Sequence, residues 1–156
     1  MQDVSAAAQL GEPRATERSM KESLRPGASL TKRVIVDRDR TIGFMGEEGR
    51  VYATPSLIRD VELTCRDLIL HHADAGEDSV GMEVALRHLA PTLIGMEVEI
   101  TVTAQAVEGR KVTFDVAVKD EMEPVSAGTH TRFVVVVAKT LERLKAKAAK
   151  RGAARA

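Results

Sequence analysis

Two hydrophobic periods alternate along this chain, and together they predict one long helix among several strands. Between Val51 and Ala73 the sequence VYATPSLIRDVELTCRDLILHHA repeats its apolar residues at helical spacing. At the helical step, Leu57, Ile58, Val61, Cys65, Leu68, Ile69 and His72 share one face, while Arg59, Asp60, Arg66 and Asp67 take the opposite side. Thr54 suits the helix N-cap, because its hydroxyl can accept from an orphan N–H of the first turn, and Pro55 suits the first helical position. Gly76 is read as the glycine that ends the helix. Glu62 breaks the pattern, lying at the edge of the apolar face beside Ile58, Cys65 and Ile69. A carboxylate there is costly to bury unless it is paired or hydrogen-bonded, so it needs a structural or a catalytic reason.

Elsewhere the period is two. Leu30, Val34 and Val36 mark a first strand ending near Asp37. Asp39 to Arg50 carries Gly43, Gly46 and Gly49 and reads as a loop or short helical turn over the approach to Thr54, where a lid would lie. Val80 to Leu89 is strand-like. The clearest alternation runs from Met96 to Val107: Met96, Val98, Ile100, Val102, Ala104 and Ala106 point one way, with Glu97, Glu99, Thr101, Thr103 and Gln105 opposite. Glu108-Gly109-Arg110 is a hairpin turn, Val112 to Val118 its return strand, and Ser126 to Ala138 a last strand rich in Val. From Thr140 the chain becomes a basic helix and tail. Strands joined by short turns pair antiparallel, and one long helix against such a sheet is an α+β layout. The expected division is a loose N-terminal extension over 1–22, a single domain over 23–140 and a basic C-terminal helix or tail over 141–156.

Composition narrows the function classes. A chain of 156 residues, 44% hydrophobic, suits one domain, and with aromatics at 3% its core must be aliphatic. A net charge of zero gives no global argument for binding nucleic acid or membrane. The single Cys65 excludes an internal disulfide and a cysteine zinc site, and a reducing cytoplasm is the natural setting. The first residues lack the basic-then-apolar pattern of a signal peptide, and no apolar run is long enough to cross a bilayer. A soluble cytoplasmic protein is therefore expected.

Three residues carry candidate chemistry. Thr54 lies at a helix start, where backbone N–H groups and the helix dipole favour negative charge. Glu62 is two turns further on, and His88 ends a strand that can lie against the helix. A hydroxyl, an imidazole and a carboxylate are the parts of an acyl-transfer site. The same residues also admit separate readings as a cap, a surface carboxylate and an exposed strand histidine. His71 and His72 are adjacent, so they diverge by about 100° on the helix, which does not suit one metal; no metal is expected. Cys65 faces the core and reads as packing. Lys139, Arg143, Lys145, Lys147, Lys150, Arg151 and Arg155 form a local charge excess, read as a solvated helix end or as attraction to the phosphates of coenzyme A or of nucleic acid. No aromatics interleave them, so a nucleic-acid partner is not expected.

Several of these positions recur in order in a known family. The Tyr52-Ala53-Thr54 step, Glu62, the segment SVGMEVALRHLAPTLIGMEVEITVTAQAVEGRKVTFDV and the later SAGTHTR resemble the fluoroacetyl-CoA thioesterase family of hot-dog proteins. The resemblance covers about Leu30 to Thr140. It implies a hot-dog fold, a curved antiparallel sheet wrapped around one helix, and a homodimer that hydrolyses a short acyl-CoA thioester. It implies no cofactor beyond the coenzyme A of the substrate. It implies a catalytic set at Thr54, Glu62 and His88, with Glu62 orienting His88 or sharing its duty as base, and a substrate site lined by Gly81 and Arg132. The segment before the helix departs from the family: Gly43 to Arg50 is short and glycine-rich, with Phe44 its only aromatic. A non-catalytic acyl-CoA binding protein of the same fold is the alternative.

Overall fold

The computed structural model describes residues 23–155; the expected extension over 1–22 lies outside them. Five strands form one sheet: β1 (Ser29–Ile35), β2 (Glu77–His88), β3 (Glu97–Glu108), β4 (Lys111–Lys119) and β5 (Pro124–Val136). The helices are α1 (Thr54–Leu70) and α2 (Val137–Arg155), with two single 3-10 turns at Arg38–Arg40 and Glu47–Gly49 in the segment before α1. The strand order is β1-β3-β4-β5-β2, and every neighbouring pair is antiparallel. The α+β expectation holds.

Alternation along the strands builds the core. Val98, Ile100, Val102 and Ala104 of β3, Val112, Phe114, Val116 and Val118 of β4, and Val125 and Val134 of β5 are buried. Leu57, Val61, Cys65, Leu68 and Ile69 of α1 are buried too, within the same apolar cluster. The expected sequence of inward residues on β3 breaks after Ala104. The β3–β4 register skips Gln105, so Val107 pairs with Val112 and packs on the core where Ala106 was expected to continue. One extra residue in a period-two strand exchanges its faces, which alternation alone does not reveal.

Two helix boundaries also differ from the sequence reading. Helix α1 ends at Leu70 with His71 as its cap, and Gly76, at φ +82°, instead turns the chain into β2. Helix α2 starts at Val137, three residues before the expected change of element. Its nineteen residues bury nothing.

Strand β2 is the element that sets up the site. It follows α1 in the chain yet lies at the sheet edge, paired with β5 alone among the described residues. Its edge carries Val80, Met82 and Val84 at 47%, 57% and 40% exposure, and the pairing with β5 is bulged between Gly81 and Glu83. An open edge carrying apolar side chains is a ready template for another strand.

Candidate active site

The start of α1 reads Ala53-Thr54-Pro55. The N-cap is Ala53, which makes no side-chain cap bond, so Thr54 is the first helical residue and not the expected cap. Its hydroxyl is turned to the end of β2, where Thr54 Oγ1 lies 2.8 Å from His88 Nδ1. The His88 ring stands edge-on to Tyr52, with centroids 6.3 Å apart. Its Nε2 is buried with no hydrogen-bond partner among the described residues. Burial holds the His88 imidazole below the ordinary histidine range, against an opposing pull from the Ala90 backbone. A neutral ring that can accept the Thr54 proton is the state this favours.

Tyr52 is anchored from behind. Its hydroxyl donates to the carboxylate of Asp60, which also accepts from Arg40 at 2.9 and 3.2 Å. Asp60 was expected on the polar face of α1 but is buried, because these two partners satisfy its charge. The network ties the segment before α1 to the helix at Asp60, nearly two turns beyond Thr54. That segment reaches over the site as the lid position predicted. Ile42 and Phe44 line an open recess of about 390 Å³ with Thr54 and His88.

Glu62 belongs to a second cluster. Its Oε1 lies 3.9 Å from His130 Nε2 and does not meet His88, so within one chain the expected Glu62–His88 pairing is not made. The reason is geometric: Thr54 and Glu62 are about 12 Å apart along α1. On β2, running the other way, His88 is about 23 Å from Gly81 along an ideal strand. Glu62 meets the strand at Gly81, where a Cβ would stand 2.7 Å from its Oε1. Only a residue without a side chain leaves room for the carboxylate there. Arg132 completes this cluster from β5, donating from Nε to Ser79 Oγ at 2.8 Å, from Nη2 to the Ser79 carbonyl at 2.7 Å, and from Nη1 to His130 Nε2 at 3.2 Å. Burial lowers the Arg132 pKa, with Glu62 the first opposing charge.

Of the five predicted site residues, Thr54 and His88 therefore meet directly, and Glu62, Gly81 and Arg132 meet separately. The Glu62 carboxylate acts on His130, and burial lowers the His88 pKa. His130 was passed over as a site residue. The signal was present, since residues two apart on a strand share a face and His130 shares that of Arg132. Cys65 lies beneath this cluster, its thiol pushed up to about 12 by burial, as suits a packing residue.

A curved antiparallel sheet packed against the long helix α1, a hydroxyl–imidazole pair at the start of that helix and a carboxylate two turns along define a hot-dog thioesterase. Solved structures of that class superpose well. The fluoroacetyl-CoA thioesterase matches with a TM-score of 0.74 at 26% identity, covering 81% of this chain and 98% of its own. A thioesterase superfamily member from Thermus thermophilus matches with a TM-score of 0.74 at 28% identity, covering 85% and 98%. The fluoroacetyl-CoA thioesterase of Streptantibioticus cattleyicolor is 28% identical over 123 residues, 74% of this chain and 88% of that protein. The model of the fluoroacetyl-CoA-specific thioesterase family matches residues 36–138, and the chain belongs to that family. Its reaction class is the hydrolysis of an acyl-CoA thioester.

Proposed function

We propose that this protein hydrolyses a short acyl-CoA thioester, with Thr54, His88 and Glu62 as its catalytic residues and two copies of the chain completing each site. The observation that carries this reading is the Thr54–His88 hydrogen bond beside an imidazole kept neutral by burial. His88 takes a proton from Thr54, or from water held by Thr54, and the resulting oxygen attacks the thioester carbonyl. Backbone N–H groups at Gly81 or at the start of α1 receive the developing oxyanion. Coenzyme A leaves as the thiol and the acyl group as the free acid. If Thr54 itself attacks, a water molecule then hydrolyses the ester. Arg132 and Gly81 hold the substrate near Glu62. A solved complex of a fluoroacetyl-CoA-specific thioesterase variant with fluoroacetate and CoA, matching this chain with a TM-score of 0.70 at 27% identity, supports an acyl-CoA as ligand. The acyl group itself is set by the lid, where Phe44 lines the recess.

The second copy answers the separation of Glu62 from His88. Antiparallel pairing of two β2 edges runs the His88 end of one copy toward the Gly81–Glu62 end of the other. It also covers Val80, Met82 and Val84. Each site then takes Glu62 from one copy and the partner's His88.

Thiol release from a panel of acyl-CoA thioesters tests the activity. His88→Ala is expected to lower turnover on the order of a hundredfold or more, because it removes the base. Glu62→Gln keeps shape and removes charge, so it too should lower turnover while leaving the fold intact. Mixing the two inactive variants tests the shared site: a mixed dimer holds one site with both residues intact, so activity should return. Wild-type rates in both variants would move the site elsewhere, and no recovery on mixing would place Glu62 and His88 in one chain's site.

A further inference from the structure

Of the four histidines only His130 is buried, and both its ring nitrogens meet partners of fixed polarity. The Glu83 carbonyl, 2.8 Å from Nδ1, can only accept, so Nδ1 carries a proton. The Arg132 guanidinium, 3.2 Å from Nε2, can only donate, so Nε2 keeps its lone pair. One neutral tautomer satisfies both. Arg132 gives Nε and Nη2 to Ser79, which leaves Nη1 for His130. The Glu62 carboxylate lies just beyond, over Gly81, with Oε1 3.9 Å from Nε2. A lone pair facing a carboxylate forms no hydrogen bond, so the neutral ring leaves Glu62 free.

We propose that His130 is a positioning residue for Glu62: its neutral ring holds the Arg132 guanidinium off the Glu62 carboxylate, and its protonation replaces that hold with a His130–Glu62 ion pair that takes the carboxylate out of use. The proposal rests on the catalytic role of Glu62. One solvent proton adds at Nε2, which then donates to Glu62 Oε1, while Arg132 Nη1 loses its acceptor. The groups that face this exchange are Glu62 and Cys65 from α1, Ser79 and the Glu83 carbonyl from β2, and Arg132 from β5, with the Arg66–Asp78 pair acting on Arg132 from further out. Burial pushes the His130 ring below the ordinary histidine range; the Glu83 carbonyl opposes this, Arg132 adds to it and Glu62 opposes it. The exchange therefore falls on the acid side of that range, and it adds a second proton to the one that disables His88.

The test is the pH dependence of kcat in wild type, His130→Gln and His130→Ala, with nitrogen NMR of the His130 ring. A glutamine carbonyl can accept from Arg132 but does not titrate. On the alkaline side His130→Gln should stay within about fivefold of wild type, and His130→Ala should fall about tenfold or more. On the acid side log kcat should fall with a slope approaching two in wild type and one in His130→Gln. The ring should show the Nδ1–H tautomer, and Glu62→Gln should lower its pKa by removing the carboxylate that favours the charged ring. Equal acid slopes, an Nε2–H tautomer, or a ring pKa indifferent to Glu62→Gln would overturn the proposal. Full turnover in Glu62→Gln would instead overturn the catalytic reading of Glu62. The NMR readout needs no activity, so the two failures are distinguishable.

Discussion

At Gly81 one missing methyl group decides where a carboxylate can lie. A Cβ there would stand 2.7 Å from Glu62 Oε1, and ordinary van der Waals distances begin well beyond that. The clashing atom is the far end of a flexible side chain, so Gly81→Ala should shift Glu62 and barely change stability, within about 0.5 kcal/mol. Turnover should fall in the direction of Glu62→Gln. Paired melting curves and thiol-release rates check this; a large loss of stability would mean that the carboxylate is held as rigidly as the backbone. The Tyr52–Asp60–Arg40 network makes a similar point for the other cluster. A buried aspartate on α1 is tolerated because two donors reach it, and in doing so it fixes the residues that precede Thr54.

Among the elements, β2 and α2 stand at opposite extremes of commitment. Strand β2 carries both clusters, His88 at its end and Gly81 near its middle, and leaves one edge open. A cation on that edge opposes pairing with a second strand. Val84→Lys should therefore shift the sedimentation of the protein toward monomer and lower turnover per chain, though Val84 is 40% exposed and its loss should spare the fold. An unchanged sedimentation coefficient with full activity would argue against a β2-mediated dimer. Helix α2 buries no residue, and Leu141 and Leu144 are exposed along it. Deleting 141–156 should leave the melting temperature within a few degrees, because no core contact goes with it. A marked drop would reveal packing by this helix.

For the whole molecule, the depressed histidines link stability to pH. His88 and His130 both have folded values below the ordinary one of about 6.5, so the folded protein binds fewer protons than the unfolded chain in that window. Their neutral burial contributes stability that is fully present above about 6.5 and is lost as pH falls through the folded values. Asp78 and Asp120, both lowered in the folded state, add a second loss only in the more acidic range. In Asp78 the Arg66 hydrogen bond is the largest cause; in Asp120 burial opposes the shift, and the Met122 and Glu123 backbone bonds, with Thr92, carry it. Urea midpoints should therefore decline between about pH 7 and 5, before carboxylates titrate. A flat profile over that interval would show that neither ring is held neutral by the fold.

Local periodicity was enough to determine the elements. The helical spacing of Leu57, Val61, Cys65 and Leu68, the alternation of Val98, Ile100 and Val102, and the Gly109 turn each depend on neighbours within a few residues. The ordered match of Tyr52-Ala53-Thr54, Glu62, His88 and the Gly128-Thr129-His130 segment pointed to the family for the same reason: it is a property of the string. What periodicity could not carry was partnership across the fold. Asp60 is buried because Tyr52 and Arg40 reach it, Val107 replaces Ala106 because β3 slips one residue against β4, and Glu62 meets Gly81 and not His88 because α1 and β2 run past each other at different rises per residue. Those partners are set by how helix and sheet pack, since a rise of about 1.5 Å on one and 3.3 Å on the other brings together residues that no fixed spacing relates.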